Sequence, residues 1–101
     1  MARFEVGTHV FTVTTATQIT TDNDRVLEAE FRAHPMNNGV VVVGTDSSIT
    51  TSNDTNLGYR LEPWEPPWRR DFRPASVSRS TFWFRASDTG DSITWAFTSR
   101  E

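Results

Sequence analysis

The sequence has no cysteine, which excludes disulfides, thiolate metal sites and cysteine nucleophiles. It has no lysine either, and all ten basic residues are arginine, a bias that fits GC-rich coding better than a mechanism. Its five glycines stand alone at Gly7, Gly39, Gly44, Gly58 and Gly90, so no glycine-rich loop is available to cradle a phosphate. No apolar run approaches the roughly 20 residues that a membrane-spanning helix needs. The opening Met1-Ala2-Arg3-Phe4-Glu5 lacks the apolar stretch of a secretory signal, so the chain is expected to be made in a cytoplasm and to remain there or in something assembled there. A net charge of −3 argues against a general binder of polyanions.

What is present describes a small β domain. At 101 residues the chain is one domain's worth, expected as a single unit over 1–101. Seven Phe, four Trp and one Tyr supply a core that a disordered chain would not carry. Fifteen Thr and nine Ser favour strands and turns respectively.

Residues 10–20 have a poor helix composition, with Phe11 and Val13 expected on one face. Asp22, Asn23 and Asp24 then mark a turn. In residues 26–33, Leu27, Ala29, Phe31 and Ala33 alternate with Glu28, Glu30 and Arg32, the clearest period of two in the chain and hence a strand. Asn38-Gly39 signals a reversal, and residues 40–43 read as a strand buried on both faces. Ile49-Thr50-Thr51 suggests a short strand, residues 52–56 a loop, and residues 57–61 an extended segment stopped by Pro63. Prolines 63, 66 and 67 exclude a central strand, so residues 62–70 are expected as an extended loop carrying Trp64 and Trp68. Phe82 and Phe84 should point inward from one strand, with Trp83 outward. Ile93, Trp95 and Phe97 should share a face of the last strand, and these two strands are expected to form a hairpin. Seven to nine short strands at a spacing of about 8–12 residues predict an all-β, jelly-roll-like antiparallel sandwich.

Chemistry is sparse. His9 and His34 have no second ligand at metal spacing, so no metal is expected. No Gly-x-Ser-x-Gly elbow anchors a hydrolase triad. Glu62 and Glu65 flank Trp64 as a glycosidase pair would, but a short loop offers no evident way to hold them rigid. Asp46, Asn53 and Asp54 have the chemistry for calcium but no EF-hand spacing, and turn formation explains them equally well. No catalytic residue and no cofactor is expected.

Charge placement says more. Residues 1–58 carry a net −4, residues 59–101 a net +1, and residues 60–85 a net +3. Within that last stretch Arg69, Arg70 and Arg73 lie close in sequence to Trp64 and Trp68. Trp and Arg dominate interface hot spots, which makes these five residues the candidate partner-binding set. Two other readings stand beside it: the indoles fold back to cap one end of the sandwich, or they stack on bases beside arginine. The acidic remainder of the chain disfavours nucleic acid. Edge strands without lysine, and with prolines gathered in one loop, also point to coverage by another subunit.

The run Ala33-His34-Pro35-Met36-Asn37-Asn38-Gly39-Val40-Val41-Val42-Val43-Gly44, then Asp46-Ser47-Ser48-Ile49, then Gly58-Tyr59-Arg60-Leu61-Glu62-Pro63, resembles small β-sandwich virion proteins of tailed bacteriophages. The Arg3-Phe4 opening, the Thr-rich strand and the closing aromatic segment with Gly90-Asp91 look similar too. Where the family pattern has Pro-Gly-Glu, this chain has Pro63-Trp64-Glu65 followed by Pro66-Pro67-Trp68. The resemblance implies a structural role without catalytic residues: a capsid decoration or cement protein on a phage head. Such a protein would bind the major capsid protein or other virion subunits as a homo-oligomer, a trimer ahead of a dimer. A minor neck or tail component, or a carbohydrate-binding module using exposed Trp64 and Trp83, are the alternatives.

Overall fold

The computed structural model describes residues 3–20, 24–45, 47–49, 51 and 59–99, and among these residues nine short strands and one 3-10 turn form the regular structure. They are β1 (Arg3–Val10), β2 (Thr17–Gln18), β3 (Arg25–Ala33), β4 (Val41–Gly44), β5 (Tyr59–Leu61), β6 (Trp68–Asp71), β7 (Val77–Ser78), β8 (Trp83–Ala86) and β9 (Ser92–Ser99), with the 3-10 turn at Arg79–Thr81. One sheet runs β1-β9-β3-β6, with β7 on the same edge of β3 as β6, and the other runs β2-β8-β4-β5. Along the chain β1 pairs with β9, β2 with β8, β3 with β6 and β7, and β4 with β5, all antiparallel. This is one long ribbon, wound so that β9 also meets β3 and β8 also meets β4. The winding is that of a jelly-roll sandwich, as the strand spacing predicted.

The expected closing hairpin is absent. β8 and β9 belong to different sheets, and the turn between them carries the chain across the sandwich. The inward faces of the two segments meet through the core instead: the Phe82 and Phe97 rings stack at 5.5 Å. Phe31 sits at the centre of that core, with Trp68, Phe82, Phe84 and Phe97 at ring distances of 5.6, 5.2, 5.3 and 5.8 Å.

β3 departs from strict alternation. Val26, Ala29, Phe31 and Ala33 are buried, whereas Leu27 is only half-buried, because the register to β9 shifts between Val26 and Glu28. Such a bulge places two residues against one and re-aims the side chains before it. The Leu27 carbonyl accepts the Phe72 N–H at 2.8 Å, which ties the β6–β7 connection to the bulge. β4 is buried on both faces, as expected. Val41 and Val43 join the core, and Val42 is buried outside it. Its β8 neighbour Arg85 donates to the carbonyls of Thr14 (2.9 Å) and Ile49 (3.0 Å), drawing two connections over that outer face. Ile49 is buried but not in a strand, and Thr50 lies outside the described residues.

Phe11 and Val13 do not share a face. Residues 12–15 form a bend, so Phe11 is buried and Val13 exposed. Phe11 is held by its N–H to the Asp91 carbonyl (2.9 Å) and by the Gly90 N–H to its own carbonyl (2.8 Å). The β3–β4 loop docks on the same turn. The Asn37 amide bonds both the N–H and the C=O of Ser92 at 2.9 Å, and the buried Asp91 carboxylate accepts the N–H groups of Asn38 and Gly39.

Gly7 is required by packing. A Cβ there would lie 2.2 Å from Cζ2 of the Trp95 ring, which leans over β1 from the paired position in β9. Gly7→Ala therefore has to displace an indole, an overpacking that costs about 1–3 kcal/mol. A lowered urea midpoint with an altered Trp fluorescence maximum is expected; an unchanged midpoint would show that Trp95 has room to move.

Candidate partner-binding surface

The proline-rich stretch builds a turn of defined shape. The Glu65 N–H donates to the Glu62 carbonyl and the Glu62 N–H donates to the Glu65 carboxylate, both at 3.2 Å. These reciprocal bonds close the turn with Trp64 inside it, and the Trp64 side chain stands out to solvent with 80% of its surface exposed. The two glutamates weighed as a catalytic pair have structural work here. Glu65 holds the turn, and Glu62 pairs with Arg60 at 3.3 Å.

The loop expected over residues 62–70 ends earlier, because Trp68–Asp71 is strand β6, paired with residues 28–31 of β3. Past Pro67 the backbone regains its donors, and the free edge of β3 offers them partners. Pairing puts Trp68 opposite Phe31, and the rings stack at 5.6 Å with an interplanar angle of 19°. Tyr59 covers Trp68 from the other sheet at 5.5 Å. Trp68 is thus half-buried as a lid on the core, while Trp64 projects away from it.

The three arginines also divide. Arg69 and Arg73 converge on the Glu28 carboxylate from the outer face of the sheet, and Arg73 also reaches Asp71 at 3.8 Å. Glu28, by hydrogen bond and charge, raises the already high pKa of Arg69. Arg70 lies over the Phe72 ring at 5.4 Å and makes no ion pair among the described residues. The indole-capping expectation therefore holds for Trp68 alone, and the arginine stacked beside it chooses Phe72.

Two features escaped sequence reasoning. Arg79 is a buried cation: it pairs with Glu5 at 2.8 Å and lies 5.2 and 5.5 Å over the Phe97 and Trp95 rings. Nothing in Ser78-Arg79-Ser80-Thr81 marks it, since the same residues read as a solvated turn. Arg3 and Asp24 complete that charge cluster at the sheet end. The second feature is the outer face of β1, where Phe4, Val6 and Val10 are exposed by 67%, 59% and 56%. Its signal was in plain view as Phe4-Glu5-Val6-Gly7-Thr8-His9-Val10, but the apolar set of that alternation faces solvent.

Among the described residues no group of three His, Cys, Asp or Glu side chains could hold a metal ion, and Asp46, Asn53 and Asp54 lie outside them. His9 packs edge-on to Phe11 at 4.7 Å, and burial lowers its pKa. His34 holds its own loop by accepting the Met36 N–H on Nδ1 at 3.0 Å. A shallow depression lined by Arg32, Ala33, His34, Pro35 and Thr94 contains no carboxylate to complete an acid–base pair. No family model, curated protein or solved structure matches the chain.

Proposed function

We propose that this chain is a non-enzymatic structural subunit of a phage virion, a decoration or cement protein that binds the assembled head and stabilises it. The observation that carries the reading is Trp64, a large apolar side chain held out to solvent on a turn closed at both ends by hydrogen bonds. A preorganised anchor loses little conformational freedom when it docks, so more of its contact energy appears as affinity. Indoles are enriched among the residues that dominate binding energy, and the jelly roll is an architecture shared by viral capsid proteins. The strand-and-turn resemblance to phage virion proteins supports the same role. On a shell, Trp64 would enter an apolar pocket between capsid subunits, Arg70 would pair with a shell carboxylate, and symmetry would multiply the weak single contacts.

The test is reconstitution onto heads assembled without this protein. Wild-type protein is expected to bind in a copy number set by the shell lattice. Trp64→Ala is expected to keep its melting temperature within about 2 °C and to lose at least tenfold in affinity, about 1.4 kcal/mol. Trp68→Ala is unsuitable as a companion, because it removes a core contact as well as a surface. Full occupancy by Trp64→Ala would remove the turn from the account, and a single ring of copies would point to the neck or tail.

Trp83 favours one second reading. It faces outward on β8 beside Gly44, and jelly rolls also serve as lectin domains. Specific glycan binding that Trp83→Ala abolishes would move the assignment to a carbohydrate-binding module.

A further inference from the structure

β1 is the edge of its sheet, pairing only with β9 among the described residues, in unbroken register over eight residues. In an antiparallel ladder the N–H and C=O of one residue point to the same side, and successive residues alternate. Phe11 sets the phase, because its N–H and C=O both bond the turn that leads into β9. Counting back by twos, Arg3, Glu5, Gly7 and His9 bond β9, while Phe4, Val6, Thr8 and Val10 aim their backbone groups at the open side. Natural edges of this length are blunted by lysine or other charges, proline, a bulge or a cover. The charges of β1, Arg3 and Glu5, are paired with each other and with Asp24 and Arg79, while its outward side chains are Phe4, Val6, Thr8 and Val10 and its register has no bulge.

The geometry points to a homodimer in which two copies of β1 pair antiparallel, edge to edge, about a two-fold axis through Gly7. Antiparallel strands lying side by side are related by an axis perpendicular to their sheet, which sets each face against the same face of the other copy. Centred on Gly7, every outward-bonding residue finds a partner: Phe4 meets Val10 of the second copy, and Val6 meets Thr8. Cross-strand pairs of this kind stabilise sheets. The same register sets the Glu5 carboxylate opposite the His9 imidazole of the second copy, at the positions where side chains approach closest. An imidazole, neutral when its pKa is lowered, still offers an N–H to the facing carboxylate, and this contact, made twice about the axis, selects a second copy as the occupant and Gly7 as the centre. A centre at Val6 would carry Val10 past the described strand and put Arg3 against His9, and a centre at Thr8 would carry Phe4 past it and put Glu5 against Phe11. Pairing would join the two sheets into one continuous sheet across the dimer. The inference rests on the structural-subunit reading only for its purpose, since pairing is measured without any shell.

Sedimentation velocity of the purified full chain at micromolar concentration is the test, with wild type expected at dimer mass. Val6→Pro removes a donor that points to the open side and leaves the β9 ladder intact. It is expected to run as a folded monomer with an unchanged near-UV dichroism spectrum. Should it fail to fold, Val6→Lys places a charge on the same edge and is expected to give the same monomer. Because the chain has no cysteine, register can be read by oxidising a mixture of Val6→Cys and Thr8→Cys proteins. The mixture is expected to cross-link, and either variant alone is not. A monomeric or three-fold wild type, a dimer that survives both Val6 variants, or equal cross-linking by one variant alone would overturn the proposal. Unpaired protein that still coats heads removes this edge and keeps the structural reading; dimers that never bind heads do the reverse.

Discussion

Phe31→Ala is expected to remove most of the protein's stability at room temperature. Phe31 is fully buried and is the ring on which both sheets converge: Trp68 from its own sheet edge, Phe97 from β9, Phe84 from β8, and Phe82 at the entry to β8. Truncation removes the transfer energy of the ring and opens a cavity. The surrounding rings cannot fill it without leaving their own positions. Phe→Ala changes at such sites cost about 3–5 kcal/mol. A small domain buries a smaller share of its surface than a large one, and total stabilities lie at about 5–15 kcal/mol, so the loss approaches the whole margin. Urea unfolding followed by circular dichroism should show the transition shifted toward zero denaturant. Phe31→Leu fills most of the volume and is expected to cost less than about 1.5 kcal/mol. A native-like midpoint for Phe31→Ala would mean that the core is not organised around this ring.

Asp91→Asn is expected to act strongly on one loop, through a change of one oxygen to NH2 rather than of volume. The buried Asp91 carboxylate accepts the Asn38 N–H at 2.8 Å and the Gly39 N–H at 2.9 Å, one on each oxygen. An amide keeps one acceptor and turns an NH2 group toward the other N–H. One charge-assisted bond is lost and a donor faces a donor. Hydrogen bonds to charged groups are worth about 1.5–3 kcal/mol, and the exposure of Asn38 to water places this loss in the lower half of that range. The β3–β4 loop should then loosen at Asn38 and Gly39, while its ends stay tied to this turn by the His34 N–H and the Asn37 amide on Ser92 and by Val40 on Ser87. Hydrogen exchange at Asn38 and Gly39 is expected to accelerate well before the β3 amides do. Unchanged exchange would show that the contacts at the ends of the loop suffice to hold it.

The candidate surface was legible as composition and illegible as geometry. Trp64 and Trp68 share one segment and the same proline-rich neighbourhood, and by sequence they are equivalent anchors. Pairing with β3 makes them opposites, since the register that sets Trp68 against Phe31 turns its indole into core and leaves Trp64 in a turn that no strand covers. Arg69, Arg70 and Arg73 likewise read as one basic patch. Glu28, distant in sequence and brought beside them by the β3–β6 ladder, takes up Arg69 and Arg73 and leaves Arg70 to a ring. The apolar face of β1 is illegible in the sequence for the converse reason. Period-two alternation is symmetric between the two sides of a strand, and it does not say whether the apolar set meets a core or water.

The sequence by itself determined that the chain is built of short strands and turns, and which side chains of β3, β8 and β9 alternate. It also marked the loops at Asn38-Gly39 and at the prolines. These are local properties, set by backbone sterics and side-chain spacing within a few residues. Tertiary structure alone decided that β8 and β9 part into different sheets, that a bulge exchanges Val26 for Leu27 in the core, and that Arg79 is buried between Glu5 and two aromatic rings. Each of these depends on segments far apart in the chain competing for the same partners. The winner is the winding that closes both sheets over Phe31 and its neighbouring rings.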